Sequence, residues 1–146
     1  MASILVIDDD RAVLATIKIL LERAAHTVEA VNDGRTGLRQ LEAQSFDLLI
    51  VDIFMPGMDG FETMRLVHQS RPHMPIIVIS GQQFSHSPER APDFLHMATR
   101  LGAVSSLHKP FKPSELIEAV NGILSSSQLM ADLHQKMAAG ISSERQ

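Results

Sequence analysis

The stretch "ILVIDDD" (residues 4–10) sets four aliphatic residues directly against three consecutive aspartates. An apolar run this short and this rich in Ile and Val has the pattern of a strand buried on both faces. Asp8, Asp9 and Asp10 then emerge together at its carboxyl end. Crowded carboxylates are costly, since two unit charges about 4 Å apart repel by roughly 4 kcal/mol at an effective dielectric near 20. Protons, a basic side chain or a cation must offset the cluster.

Working outward, the strand is followed by "RAVLATIKILLERA", with Val13, Ile17, Leu20, Leu21 and Ala24 at helical spacing. "HTVEAV" (26–31) is a second strand, "NDG" turns the chain, and Leu38 with Leu41 marks a short amphipathic helix. "FDLLIVD" (46–52) is a third strand, again nearly all apolar and again ending in Asp. A Pro/Gly turn leads into a helix for which Asp59 and Glu62 have capping-box spacing. "PIIVIS" (75–80) is strand four, and "GQQFSHSPERAP" (81–92) is an unusually long polar connection before "DFLHMATRLG" (93–102) resumes helical periodicity. "AVSSLHK" (103–109) is strand five. Pro113 opens a last helix whose Leu116, Ile117, Val120, Ile123 and Leu124 are expected to face inward.

Five apolar strands alternating with five helices predict an α/β fold of three layers, a five-stranded parallel sheet covered on both faces through right-handed crossovers. The 146 residues suffice for one domain. We expect it to occupy residues 1–124, leaving 125–146 as a partly helical or frayed tail without an output domain. In that tail Leu129, Met130, Leu133 and Met137 hint at a helical stripe.

A net charge of −4 offers no broad cationic surface, which argues against nucleic acid and acidic lipid as partners. Cys is absent, so disulfides and thiolate metal sites are excluded. The N-terminal apolar run is too short for a signal peptide, and Asp52 and Pro56 interrupt the most apolar region long before it could span a bilayer. The expectation is a cytoplasmic domain without membrane insertion.

A parallel sheet delivers the last residues of all its strands to one rim. Strand one brings Asp8 and Asp9, strand three Asp52, strand four Ser80 and strand five Lys109. With hard oxygen ligands and no His or Cys in the set, the natural counter-charge is Mg²⁺, which takes one or two carboxylates and keeps its waters. A carboxylate can act as a nucleophile toward phosphorus, while a divalent ion and a Lys neutralise the transferring phosphoryl oxygens and Ser80 donates a hydrogen bond. The pocket is suited to hold an aspartyl phosphate.

"ILVIDDD", "DLLIVDIFMPGMDG", "IIVIS" and "LHKPF", in this order and spacing, resemble the response-regulator receiver domain of bacterial two-component signalling over residues 3–124. The resemblance implies strand order 2-1-3-4-5, the flavodoxin-like arrangement. It implies Asp52 as phosphoacceptor, with Asp8, Asp9, Asp52 and the main-chain carbonyl of Phe54 as the Mg²⁺ ligands. Ser80 and Lys109 would contact the phosphoryl group, and the Lys109–Pro110 bond would be cis. The implied activity is phosphoryl transfer from a phosphohistidine of a sensor histidine kinase or phosphotransfer protein, with self-catalysed phosphorylation and dephosphorylation. The signal would leave by altered contacts with a downstream protein, from a monomer or weak dimer. The sequence departs from the family at Ser106, where receivers commonly carry Tyr or Phe. An interaction module of the same fold that acts without phosphorylation is the alternative.

Taken singly, these residues have plainer readings. Asp10 suits a helix start, Asp59 a cap, and Gly34, Gly57 and Gly60 turns. The seven histidines show no metal-ligand spacing. Met64 and Met97 are expected to be packing residues.

Overall fold

The structure, a computed structural model, describes residues 1–55, 60–81 and 91–144, without the side chains of 91–95 and 139–144. Its strands are β1 (Ser3–Ile7), β2 (Thr27–Val31), β3 (Leu48–Asp52), β4 (Ile76–Ser80) and β5 (Ala103–His108). Among the described residues the helices are α1 (Arg11–Arg23), α2 (Gly34–Ala43), α3 (Gly60–Ser70), α4 (Ala91–Arg100) and α5 (Pro113–Glu144). All strands are parallel in the order β2-β1-β3-β4-β5, as expected. The expected N-cap Asp59 and residues 82–90 of the long connection lie outside the described residues.

Side-chain alternation along each strand divides the core in two. Ile4, Val6, Leu48, Ile50, Ile77 and Ile79 face one side, where Leu14, Ile17 and Leu21 of α1 and Leu116 and Val120 of α5 cover them. Leu5, Ile7, Leu49, Val51, Ile76 and Val78 face the other, under Leu41 of α2, Met64 and Val67 of α3 and Ala98 of α4. The central strands β3 and β4 are buried at every residue, which is why they read as unbroken apolar runs. β5 is different. As an edge strand it alternates, leaving Val104, Ser106 and His108 exposed.

Several boundaries differ from expectation. β2, β3 and β4 begin one or two residues later than the apolar runs suggest, because His26, Phe46 and Pro75 precede the first ladder partners. β5 ends at His108, so Lys109 stands just beyond the strand. α4 starts at Ala91, two residues early, and turns Ala98 into the core, leaving Met97 48% exposed rather than packed. α5 runs on without interruption past residue 124 to Glu144, with Leu129, Met130, Leu133 and Met137 all exposed.

Helix starts follow capping chemistry. Asp10 caps α1, its side chain accepting from the N–H groups of Ala12 at 2.9 Å and Val13 at 3.3 Å. Asp33 caps α2 by accepting from the Thr36 N–H at 2.7 Å. That bond and the Thr36 hydroxyl hold the Asp33 carboxyl below its usual range. α1 ends in a tight left-handed turn at Ala25 (φ 70°), where the His26 N–H reaches back to the Leu21 carbonyl at 3.0 Å.

Candidate functional site

The sheet order places β1 and β3 side by side, with Ile7 opposite Val51. β1 neighbours β2 on one side and β3 on the other, so the crossovers leave from opposite faces here, the topological switch point at which α/β sheets bind ligands. Asp8 follows β1 and Asp52 ends β3. Ser80 ends β4 opposite His108, and the Lys109 N–H donates to the Ser80 carbonyl at 2.8 Å, tying the last two strand ends together. The Lys109–Pro110 bond is cis, as expected.

The three consecutive acids do not share one environment. Asp8 is fully buried, Asp52 and Ser80 nearly so, Asp9 is exposed, and Asp10 has turned away to cap α1. Asp8, Asp9 and Asp52 each offer an oxygen such that all three lie within 4.8 Å of one another. The Lys109 ammonium bridges the buried pair, 2.8 Å from Asp8 Oδ2 and 3.1 Å from Asp52 Oδ2. Backbone N–H groups fix the other two oxygens. Asp10 donates to Asp8 Oδ1 at 2.9 Å and Phe54 to Asp52 Oδ1 at 3.0 Å.

Both charge types hold their protons more tightly here, which disfavours charge on the carboxyls and favours it on the ammonium. Burial raises the Asp8 carboxyl above its ordinary range, and the charge of Asp52 adds to this, outweighing Lys109 and the Asp10 N–H. Asp9 is also raised, by partial desolvation and then by Asp8. Burial alone would lower Lys109, but its bond to Asp8 and the fields of both carboxylates outweigh that and hold its pKa up. Lys109 is therefore a firmly charged ammonium, while Asp8 and Asp9 ionise less readily than a free carboxyl.

The donor set suits a hard divalent cation. Three carboxylates face one ammonium, leaving two negative charges uncompensated when all are ionised. Asp8 Oδ2 is buried, with the Lys109 ammonium 2.8 Å away as its counter-charge. A buried carboxylate oxygen that already faces a cation is the kind of donor a hard divalent ion takes.

The spacing of motifs did not reveal the part played by Gly60. A Cβ at Gly60 would collide with the main chain of Asp52 and Ile53, and the Gly60 N–H donates to the Ile53 carbonyl at 2.9 Å. Only glycine lets the first turn of α3 sit against the end of β3, so this residue fixes the backbone that carries Asp52. Its position eight residues after Asp52 was visible, but a turn glycine and a packing glycine look alike in sequence.

A doubly wound α/β domain with an acid and lysine pocket at its switch point is thus defined by geometry alone. The chain belongs to the response regulator receiver domain family, whose model matches residues 4–121. Among curated proteins it is similar to the heme response regulator HssR of Staphylococcus epidermidis, 33% identical over 132 residues, 90% of this chain and 55% of that one. It is also similar to the response regulator protein FleR of Pseudomonas aeruginosa, 32% identical over 119 residues, 82% of this chain and 24% of that one. Among solved structures it resembles the CheY-like receiver domain protein of Methanospirillum hungatei, with TM-score 0.80, 28% identity and coverage of 89% and 98%. The chemotaxis protein CheY4 of Vibrio cholerae gives TM-score 0.76 and 29% identity, with coverage of 84% and 98%. The chain spans about half or less of the curated relatives it matches, but nearly all of these two structures. It is a receiver domain of the two-component response regulators, a family whose acidic pocket generally binds Mg²⁺. Among the described residues no helix is long and apolar enough to cross a membrane.

Proposed function

We propose that this chain is a phosphoacceptor that takes a phosphoryl group onto Asp52 from the phosphohistidine of a sensor kinase or phosphotransfer protein. A carboxylate oxygen of Asp52 forms the new bond to phosphorus as the phosphorus–nitrogen bond to the donor imidazole breaks, and the imidazole leaves with a proton. The Lys109 ammonium, already 3.1 Å from Asp52, carries the observation on which this reading rests. It stands where negative charge builds up on the phosphoryl oxygens and moves no proton to do so. The buried Ser80 hydroxyl, at the end of the adjacent strand, donates to the same group.

Asp8, Asp9, Asp52 and the carbonyl of Phe54 are the residues that would hold Mg²⁺, and the bound ion would neutralise phosphoryl charge. The Phe54 N–H meanwhile fixes the rotamer of Asp52. We assign the chain to the cytoplasm and read its output as altered contact with a downstream protein, without nucleic acid. Residues 1–124 form the receiver in this reading, and 125–146 extend it.

Acetyl phosphate with Mg²⁺, read by intact mass, tests the assignment. The wild-type chain gains one phosphoryl group, and Asp52→Asn gains none while keeping its circular dichroism and melting temperature. Full labelling of that variant would place the acceptor on another residue. Phosphotransfer from a panel of the host's histidine kinases then identifies the donor.

A further inference from the structure

α5 carries an uncovered stripe whose two halves complement each other. Ala119, Gly122, Ser126, Met130, Leu133 and Met137 follow one another at steps of three or four residues. The five steps span about eighteen residues, or 3.6 each, the helical repeat itself, so the stripe runs straight along the axis. Its distal half is large. Met130, Leu133 and Met137 are 46–65% exposed. Its proximal half is small. Ala119, Gly122 and Ser126 line a groove of about 540 Å³, closed on its far side by Met74 and by Val104 of the edge strand β5.

Gly122 points to what fills that groove. Glycine in the middle of a helix is unfavourable relative to alanine, and a Cβ at Gly122 would meet nothing within 4 Å. No contact among the described residues requires it, whereas close approach of a second helix does. The Ser126 hydroxyl donates to the Gly122 carbonyl at 3.0 Å, so apolar atoms can cover it without stranding a donor.

We propose that α5 pairs antiparallel with α5 of a second copy of this chain, about a two-fold axis near residue 128. Met137 of each copy then lies over Ala119 of the other, Leu133 over Gly122, and Met130 beside Ser126. Such a contact is isologous and closes as a dimer. The charges agree with it. Glu118 lines the groove, and Lys136 stands about eighteen residues, or five turns, further on, so both lie on the same edge of the stripe. Antiparallel pairing sets Glu118 of each copy beside Lys136 of the other. Parallel pairing would leave Glu118 about five turns from Lys136, set large residues against large, and leave both grooves unfilled. The contact runs over residues 118 to 137, about 30 Å of helix. It buries on the order of 1,000 Å² counting both copies, near the lower limit for a specific interface, and so gives a weak, concentration-dependent dimer.

Sedimentation velocity on the full chain, from low to high micromolar concentration, tests the pairing. The wild-type chain shifts toward dimer as concentration rises. Gly122→Leu fills the groove, and its Cβ meets nothing among the described residues, so this variant stays monomeric at every concentration and melts no lower than wild type. Glu118→Lys weakens the dimer by about tenfold, and adding Lys136→Glu in the same chain recovers it. A wild-type chain that remains monomeric, a Gly122→Leu chain that still dimerises, or a double exchange without recovery overturns the proposal.

Discussion

Replacing Lys109 by Met keeps the length of the stem but removes the cation between Asp8 and Asp52. At an effective dielectric near 20, its attractions at 2.8 Å and 3.1 Å amount to about 5–6 kcal/mol each. Oxygens of the two acids lie within 4.8 Å, so their mutual repulsion is about 3 kcal/mol or more. Desolvation of the ammonium, whose side chain is only 20% exposed, cancels much of the attraction. Protonation of Asp8 relieves part of the repulsion. The net loss of stability is expected to be about 2–4 kcal/mol near neutral pH. Its pH dependence follows from the direction of each shift. Asp8 has a raised pKa, chiefly through burial, so in the fold it takes up its proton before the unfolded chain does. Stability from this group therefore grows as pH falls through the raised value toward the ordinary 3.8. Without Lys109 the Asp8 carboxyl rises further, and acid relieves the variant more than the wild type. The Lys109 contribution itself is fully present below the ordinary 10.5 and is lost only as pH climbs through its raised value. Urea unfolding of both chains at about pH 7.5 and about pH 4.5 measures the difference. A penalty that is equal at the two values, or larger in acid, refutes the electrostatic account.

Two backbone predictions accompany it. Gly60→Ala forces a methyl group into the main chain of Asp52 and Ile53. It should cost about 2–3 kcal/mol and slow acetyl phosphate labelling, and unchanged unfolding and labelling would show that α3 can shift freely. Ala25 holds φ at 70°, a conformation that costs an L-residue about 1 kcal/mol. Ala25→Gly is expected to raise stability by about 0.5–1 kcal/mol in a thermal melt, and a lower melting temperature would contradict this.

The pocket was legible in the sequence because a parallel sheet leaves little freedom. Once "ILVI", "LLIV" and "IIVIS" read as buried strands, Asp8, Asp52 and Ser80 had to meet at one rim. Lys109 joined them through strand five, although the ladder stops one residue short of it. The unequal burial of Asp8 and Asp9 was not legible, since adjacent residues leaving a strand diverge by the local path of the chain. The packing role of Gly60 and the dihedral angle of Ala25 are illegible for a related reason. Neither a contact nor a dihedral angle has a compositional signature. Met97 was misjudged because helical periodicity gives the amphipathic axis but not which neighbour fills a crowded interface, here Ala98. The stripe from Leu129 to Met137 hints at helix past residue 124, but nothing in "SSS" at 125–127 shows that Ser126 bonds back to the Gly122 carbonyl and that the helix runs on unbroken.

α5 begins at Pro113, four residues beyond Lys109, and is 32 residues long. At about 1.5 Å per residue it is a rod of roughly 48 Å with one end rooted just after Lys109. A rod of that length is a lever. Tipping it by about 5° as a rigid rod sweeps its tip through about 4 Å, a displacement comparable to the width of a side chain.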